Sequence, residues 1–136
     1  MDADDDLHAE MRALLRAFLS EALASRCCEL LAMKPERWAK IDPWKVWREI
    51  DDRDPRLRDW PRSVAELLAD PVVAPHAQRA VVVLRCGHES QACLRRERLA
   101  DALVGEASVF EGFISIAPGR LGIAVNHDGM FCLMQR

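Results

Sequence analysis

An α+β fold, with a helical N-terminal half followed by a small, mainly antiparallel sheet, is what the sequence predicts, and three observations predict it. Apolar residues at three- and four-residue spacings run from Leu7 to Met33, the pattern of an amphipathic helix. Ala80 to Arg85 (AVVVLR) is a β-branched apolar run suited to a buried strand. Residues 107–134 fall into three apolar segments, ASVFEGFISIA, LGIAVN and MFCLM, divided by two turn signals. The implied order is helices, strand, helix and a three-stranded meander, with the helices on one face of the sheet. At 136 residues, the chain forms one domain, 1–136, large enough to bury a core without disulfides.

Each element has a local cause. Asp4, Asp5 and Asp6 precede the first helix, where acids complement the positive end of the helix dipole. Leu7, Met11, Leu14, Leu15, Phe18, Ala22, Leu30 and Met33 form its stripe, widened at its end by Cys27, Cys28 and Leu31. Pro35 stops it. Asp42-Pro43 sets up a short helix through Trp44, Val46, Trp47 and Ile50, because proline is preorganised for the first helical position. Residues 51–59 read as a charged loop. Ser63-Val64-Ala65-Glu66 is a capping box, and its helix must stop before Pro71.

Gly87 ends the Ala80–Arg85 strand. Glu89 to Val104 reads as a helix capped by Gly105, with Arg95, Arg96 and Arg98 on its exposed side. Pro118-Gly119 suits the centre of a type II turn, since proline presets φ and glycine accepts a positive one. Asn126-His127-Asp128-Gly129 fits a three-residue hairpin loop with Gly129 left-handed.

Composition narrows the function. The net charge is −3, which argues against a general binder of nucleic acid or of an anionic membrane. No apolar run approaches the length of a membrane span. The charge is uneven: residues 1–70 carry 16 acidic and 12 basic side chains, and residues 71–136 carry 6 and 7. Five cysteines, an odd number with Cys27 and Cys28 adjacent, fit reduced thiols better than a disulfide framework. MDADDD is the opposite of a signal peptide. A cytoplasmic protein is expected, and the preference for arginine over lysine, sixteen to three, suits a GC-rich bacterial genome.

Few groupings carry chemistry. Cys86, His88 and Cys93 offer three zinc-ligand types, whereas a structural zinc site needs four, and nothing in the pattern recruits His76. Neither a metal nor a cofactor is expected. Cys86 with His88 would make a thiol and base only if Gly87 left them facing one another. His127-Asp128 is explained by the turn. Phosphate loops, nucleophile elbows and dinucleotide fingerprints are absent from the sequence. The group with most potential is aromatic. All four tryptophans, Trp38, Trp44, Trp47 and Trp60, lie within 38–60, beside Asp51, Asp52 and Asp54. Tryptophan dominates interface energies, and acids on a loop speed encounter with a basic partner.

In size, acidity and architecture the chain resembles bacterial toxin-immunity proteins, including those of contact-dependent growth inhibition. That resemblance implies a protein-binding inhibitor, not an enzyme, whose partner is a basic toxin domain. Trp38, Trp44, Trp47, Asp51, Asp52, Asp54 and Trp60 are the expected partner-binding residues. Two alternatives stand beside it. One is a small cytosolic enzyme using a Cys/His site. The other is a secretion chaperone or adaptor, against which the long helical half counts, because such chaperones place strands between their first two helices.

Overall fold

The computed structural model describes residues 3–33, 58–86, 93–104, 111–125 and 131–136. The architecture is α+β: helices come first, and the sheet is antiparallel throughout.

The N-terminal stripe forms two helices, α1 (Ala3–Phe18) and α2 (Glu21–Met33), in place of the single helix expected. The break falls at Leu19-Ser20. The Ser20 hydroxyl accepts the Leu23 amide at 3.4 Å, and the Ser20 carbonyl accepts the Ala24 amide at 2.8 Å, so serine restarts the helix as its cap. The restart shifts the apolar stripe by one residue. Leu23 and Ala24 are buried, and Ala22 is exposed.

Strand β1 (Arg58–Arg62) occupies part of what the sequence suggested was a charged loop. It is a terminal strand paired with the last strand of the chain, and its register shifts between Asp59 and Arg62. Trp60 and Pro61 lie at that irregularity. Proline has no amide to give a ladder and is confined to terminal strands and bulges, so Pro61 suits the position. Helix α3 (Val64–Ala69) begins at the expected capping box. The Ser63 hydroxyl accepts the Glu66 amide and donates to Glu66 Oε1, both at 3.1 Å. Asp70 ends it and accepts the Val72 amide at 2.8 Å, and a 3-10 turn follows at Ala74–His76.

The clearest correction comes next. Strand β2 (Ala80–Cys86) is where it was expected, but the described part of the span read as a helix, residues 93–104, is not one continuous helix. Cys93–Arg98 is a strand, β3, and only Leu99–Leu103 is helical, as α4. β3 pairs with β2 over six consecutive positions, from Ala80 opposite Arg98 to Arg85 opposite Cys93. CLRRER is made of helix-favouring residues, and helix propensity is a weak preference that a complete antiparallel ladder overrides. Strands β4 (Glu111–Ala117), β5 (Leu121–Val125) and β6 (Phe131–Gln135) form the expected meander. Between β4 and β5 the Arg120 amide bonds the Ala117 carbonyl at 2.9 Å, and Gly119 has φ of 70°, as a type II turn requires. Residues 126–130, including Gly129, lie outside the described residues, as does Gly105.

The sheet order is β1-β6-β5-β4-β2-β3. Alternation along each strand divides the core in two. Val82, Leu84, Phe113, Ala124, Cys132 and Met134 face α1 and α2. Val81, Val83, Ile114, Ile123, Phe131 and Leu133 face α3, the 3-10 turn and α4 through Leu67, Val73, Leu99 and Leu103. Helical segments therefore cover both faces, not one. This is why β5 is buried at every position and shows no polar alternation.

α1 comes close to the sheet at Gly122. A Cβ there would overlap Leu14 Cδ1 and lie 2.9 Å from the Ile114 carbonyl oxygen. Gly122 pairs across β4 with Ser115, a small and fully buried residue. The pair makes a shallow seat into which fully buried Leu14 fits, and that contact sets the height of α1 above β4 and β5.

Candidate functional site

The two ends of the sheet differ in chemistry, and the residues singled out from the sequence divide between them. At one end is β1. Of the expected binding residues, Trp60 is carried by this terminal strand. Trp38, Trp44, Trp47, Asp51, Asp52 and Asp54 lie outside the described residues. The chain order nevertheless makes their segment the connection between the end of α2 and the sheet's β1 edge. β6, buried at four of its five positions, pairs with β1 and ties the strand that carries Trp60 to the sheet.

At the other end, β3 carries Arg95, Arg96 and Arg98. These arginines were expected together on a helix side. The strand instead sends alternate residues to opposite faces of the sheet, so Arg95 and Glu97 share one face and Arg96 takes the other. On the first face Glu97 draws two arginines. Arg85 reaches from β2 to Glu97 Oε1 at 2.9 Å, with both side chains largely buried, and Arg95 Nε is 3.6 Å from Oε2. On the second face Arg96 acts on Glu10 of α1. Burial raises the Glu10 carboxyl above its ordinary pKa, and the positive charge of Arg96 works against that rise. Arg98 donates to Gln78 at 3.2 Å and lies 3.5 Å from Asp101. The Arg85–Glu97 pair has no signature in the sequence. It exists because β2 and β3 are neighbours, a pairing that no local pattern announces.

The thiols are dispersed. Cys27, Cys28 and Cys132 are buried and in no disulfide, and Cys93 is a thiol exposed at the start of β3. Burial, reinforced by the neighbouring Cys28, pushes the Cys27 thiol up to about 12, so it stays protonated and behaves as a small apolar residue. Cys86 ends β2. His88, His127 and Asp128 lie outside the described residues. His76 sits in the 3-10 turn with its Nδ1 3.2 Å from Arg79. Among the described residues no three of His, Cys, Asp and Glu converge on a point that would hold a metal. Among those residues, too, no helix is long and apolar enough to cross a membrane.

No protein-family model, curated protein or solved structure matches the chain. The functional reading rests on its own residues.

Proposed function

We propose that the chain is a protein-binding inhibitor of the immunity type, acting in the bacterial cytoplasm, and that it binds a basic toxin domain through residues 38–60. One observation carries the reading. The last three residues of that segment, 58–60, belong to β1, the terminal strand of the described sheet, and Trp60 is one of them. The acidic excess of residues 1–70 adds charge complementarity to a basic cleft. Trp38, Trp44, Trp47 and Trp60 supply pocket-filling anchors, and Asp51, Asp52 and Asp54 guide the encounter.

The test is co-expression with the toxin domain encoded beside this gene, followed by kinetics on the purified pair. Protection from the toxin is expected. Changing Asp51, Asp52 and Asp54 together to Asn should slow association, with the effect fading as salt rises. Trp60→Ala should speed dissociation about tenfold. Absence of protection overturns the reading. So does a footprint confined to residues 80–136 in the bound state, or an enzymatic turnover abolished by Cys86→Ala or His88→Ala.

A further inference from the structure

We infer that β3 is a second binding edge, which takes up an acidic, extended polypeptide segment as an additional antiparallel strand. This surface lies at the opposite end of the sheet from the one proposed above and goes beyond that reading.

The argument begins with how the two terminal strands differ. β1 is irregular, with its register broken between Asp59 and Arg62 and a proline inside the break. Bulges and prolines are devices that stop a sheet from growing. β3 has neither. Its six residues pair with β2 in unbroken register, and among the described residues β2 is its only strand partner. A straight strand bonded on one side presents a row of amides and carbonyls on the other, which is the template that strand addition uses.

Charge decides what the template accepts. Four of the six β3 residues are charged, and three of those are arginines. Glu97 is already engaged by Arg85 from β2. The Arg95 and Arg98 side chains are 61% and 56% exposed, and Arg96 is exposed as well. Arg95 and Arg96 flank the edge on opposite faces, so an incoming strand meets positive charge on both of its own faces. Like charges directly across a ladder are unfavourable, and opposite charges are favourable. A second copy of β3 laid antiparallel with Arg95 opposite Arg95 places arginine against arginine and is rejected. Glutamates or aspartates at successive positions place a carboxylate beside each arginine and are accepted. The same side chains thus bar self-association in that register and select an acidic partner strand.

The test uses the full chain and a short acetylated peptide with pairs of adjacent glutamates between valines, with amide chemical shifts and affinity as readouts. Two control peptides accompany it: one with lysine for glutamate, and one with the acidic sequence N-methylated at successive central residues, so that neither edge keeps its donors. Binding of the acidic peptide is expected, with the largest shifts at Cys93–Arg98 and affinity falling as salt rises. The lysine peptide should not bind, and the N-methylated peptide should bind at least about tenfold more weakly, since it keeps the charge and loses ladder hydrogen bonds. The exposed charge reversals Arg95→Glu and Arg96→Glu, introduced together, should also weaken binding about tenfold. A folded spectrum for that variant, together with preserved binding at the β1 end, separates this loss from misfolding. Equal binding of the acidic and N-methylated peptides would reduce the surface to an electrostatic patch and overturn strand addition. No binding, or shifts confined to other elements, would overturn the proposal as a whole.

Discussion

Leu14 and Gly122 fit together as a knob and its seat, and a double-mutant cycle measures that fit. Leu14 is fully buried, so Leu14→Ala should cost about 2–5 kcal/mol through lost burial and the cavity left behind. Gly122→Ala adds a single methyl, yet that methyl would overlap Leu14 Cδ1. Overpacking of this kind costs about 1–3 kcal/mol, more than the roughly 0.5–1 kcal/mol that alanine gains over glycine in a strand. In the Leu14→Ala background the overlapping atom is gone, and the methyl enters the vacated space. There Gly122→Ala should lose the Leu14 part of its cost and keep that of the 2.9 Å approach to the Ile114 carbonyl, which is present in both backgrounds and cancels in the cycle. The coupling free energy is therefore expected at about 1–3 kcal/mol. Urea unfolding of the four proteins, with unchanged m values, provides the measurement. Coupling below about 0.5 kcal/mol, the spread found for independent sites, would mean that α1 does not sit on β5 at this point.

Three further outcomes are expected. Gly119 has a positive φ and only ordinary contacts, to Ala13, where a Cβ would lie, so Gly119→Ala should cost about 1 kcal/mol from backbone conformation alone; an unchanged unfolding midpoint would refute the left-handed turn. Alkylation of the native protein, mapped by mass spectrometry, should label Cys93 well before Cys27, Cys28 or Cys132, and equal rates would refute the burial of the α2 thiols. Glu10 has a folded-state pKa above its unfolded value, because burial outweighs the charge of Arg96, so the folded state binds more protons across that interval. Its contribution is full below the unfolded value of 4.5 and is lost as pH rises through the higher folded value. Glu10→Gln should then raise stability more at pH 7 than at pH 3, and the reverse order would refute the sign.

What the sequence shows of this fold depends on whether the cause is local. The capping box at Ser63 and the turn at Pro118-Gly119 are set by a few adjacent residues, and both form as read. The meander is legible for the same reason, with apolar runs divided by turn chemistry. β3 is not legible, because CLRRER lacks alternation and its leucine, arginines and glutamate favour helix; its extended state comes from Ala80–Arg85 alongside it. The break between α1 and α2 is hidden differently. Ser20-Glu21 is a fair cap, but the apolar spacing continues across it with a shift of one residue that a stripe of alanines and leucines conceals. Of the candidate binding residues, the structure gives a position to Trp60 alone, and a bulge in a terminal strand was not foreseeable from a stretch that reads as charged loop. The Arg95, Arg96 and Arg98 group was legible as a cluster of charge, although the faces it occupies follow from the ladder and not from helical spacing.

The six strands of the described residues make an antiparallel sheet that does not close, and its two ends are of different physical kinds. At β1 the difference is geometric: the register shifts between Asp59 and Arg62, and Pro61 within that break has no amide to give a ladder. At β3 the difference is electrostatic, and charge discriminates where geometry does not. Arg95, Arg96 and Arg98 exclude a strand of like charge while leaving the ladder groups intact. α1 contributes to the same asymmetry. It lies over β2, β3 and β4, bringing Glu10 towards Arg96 and Leu94 against the core, so the β3 end is backed by a helix. A regular, helix-backed edge has little conformational entropy left to lose when a strand is added, and preorganisation of that sort lowers the cost of association. The β1 end has its support from β6 and keeps its backbone from being extended by another strand. In the proposed inhibitor, recognition there would fall to side chains, and Trp60 is the aromatic residue carried by that strand.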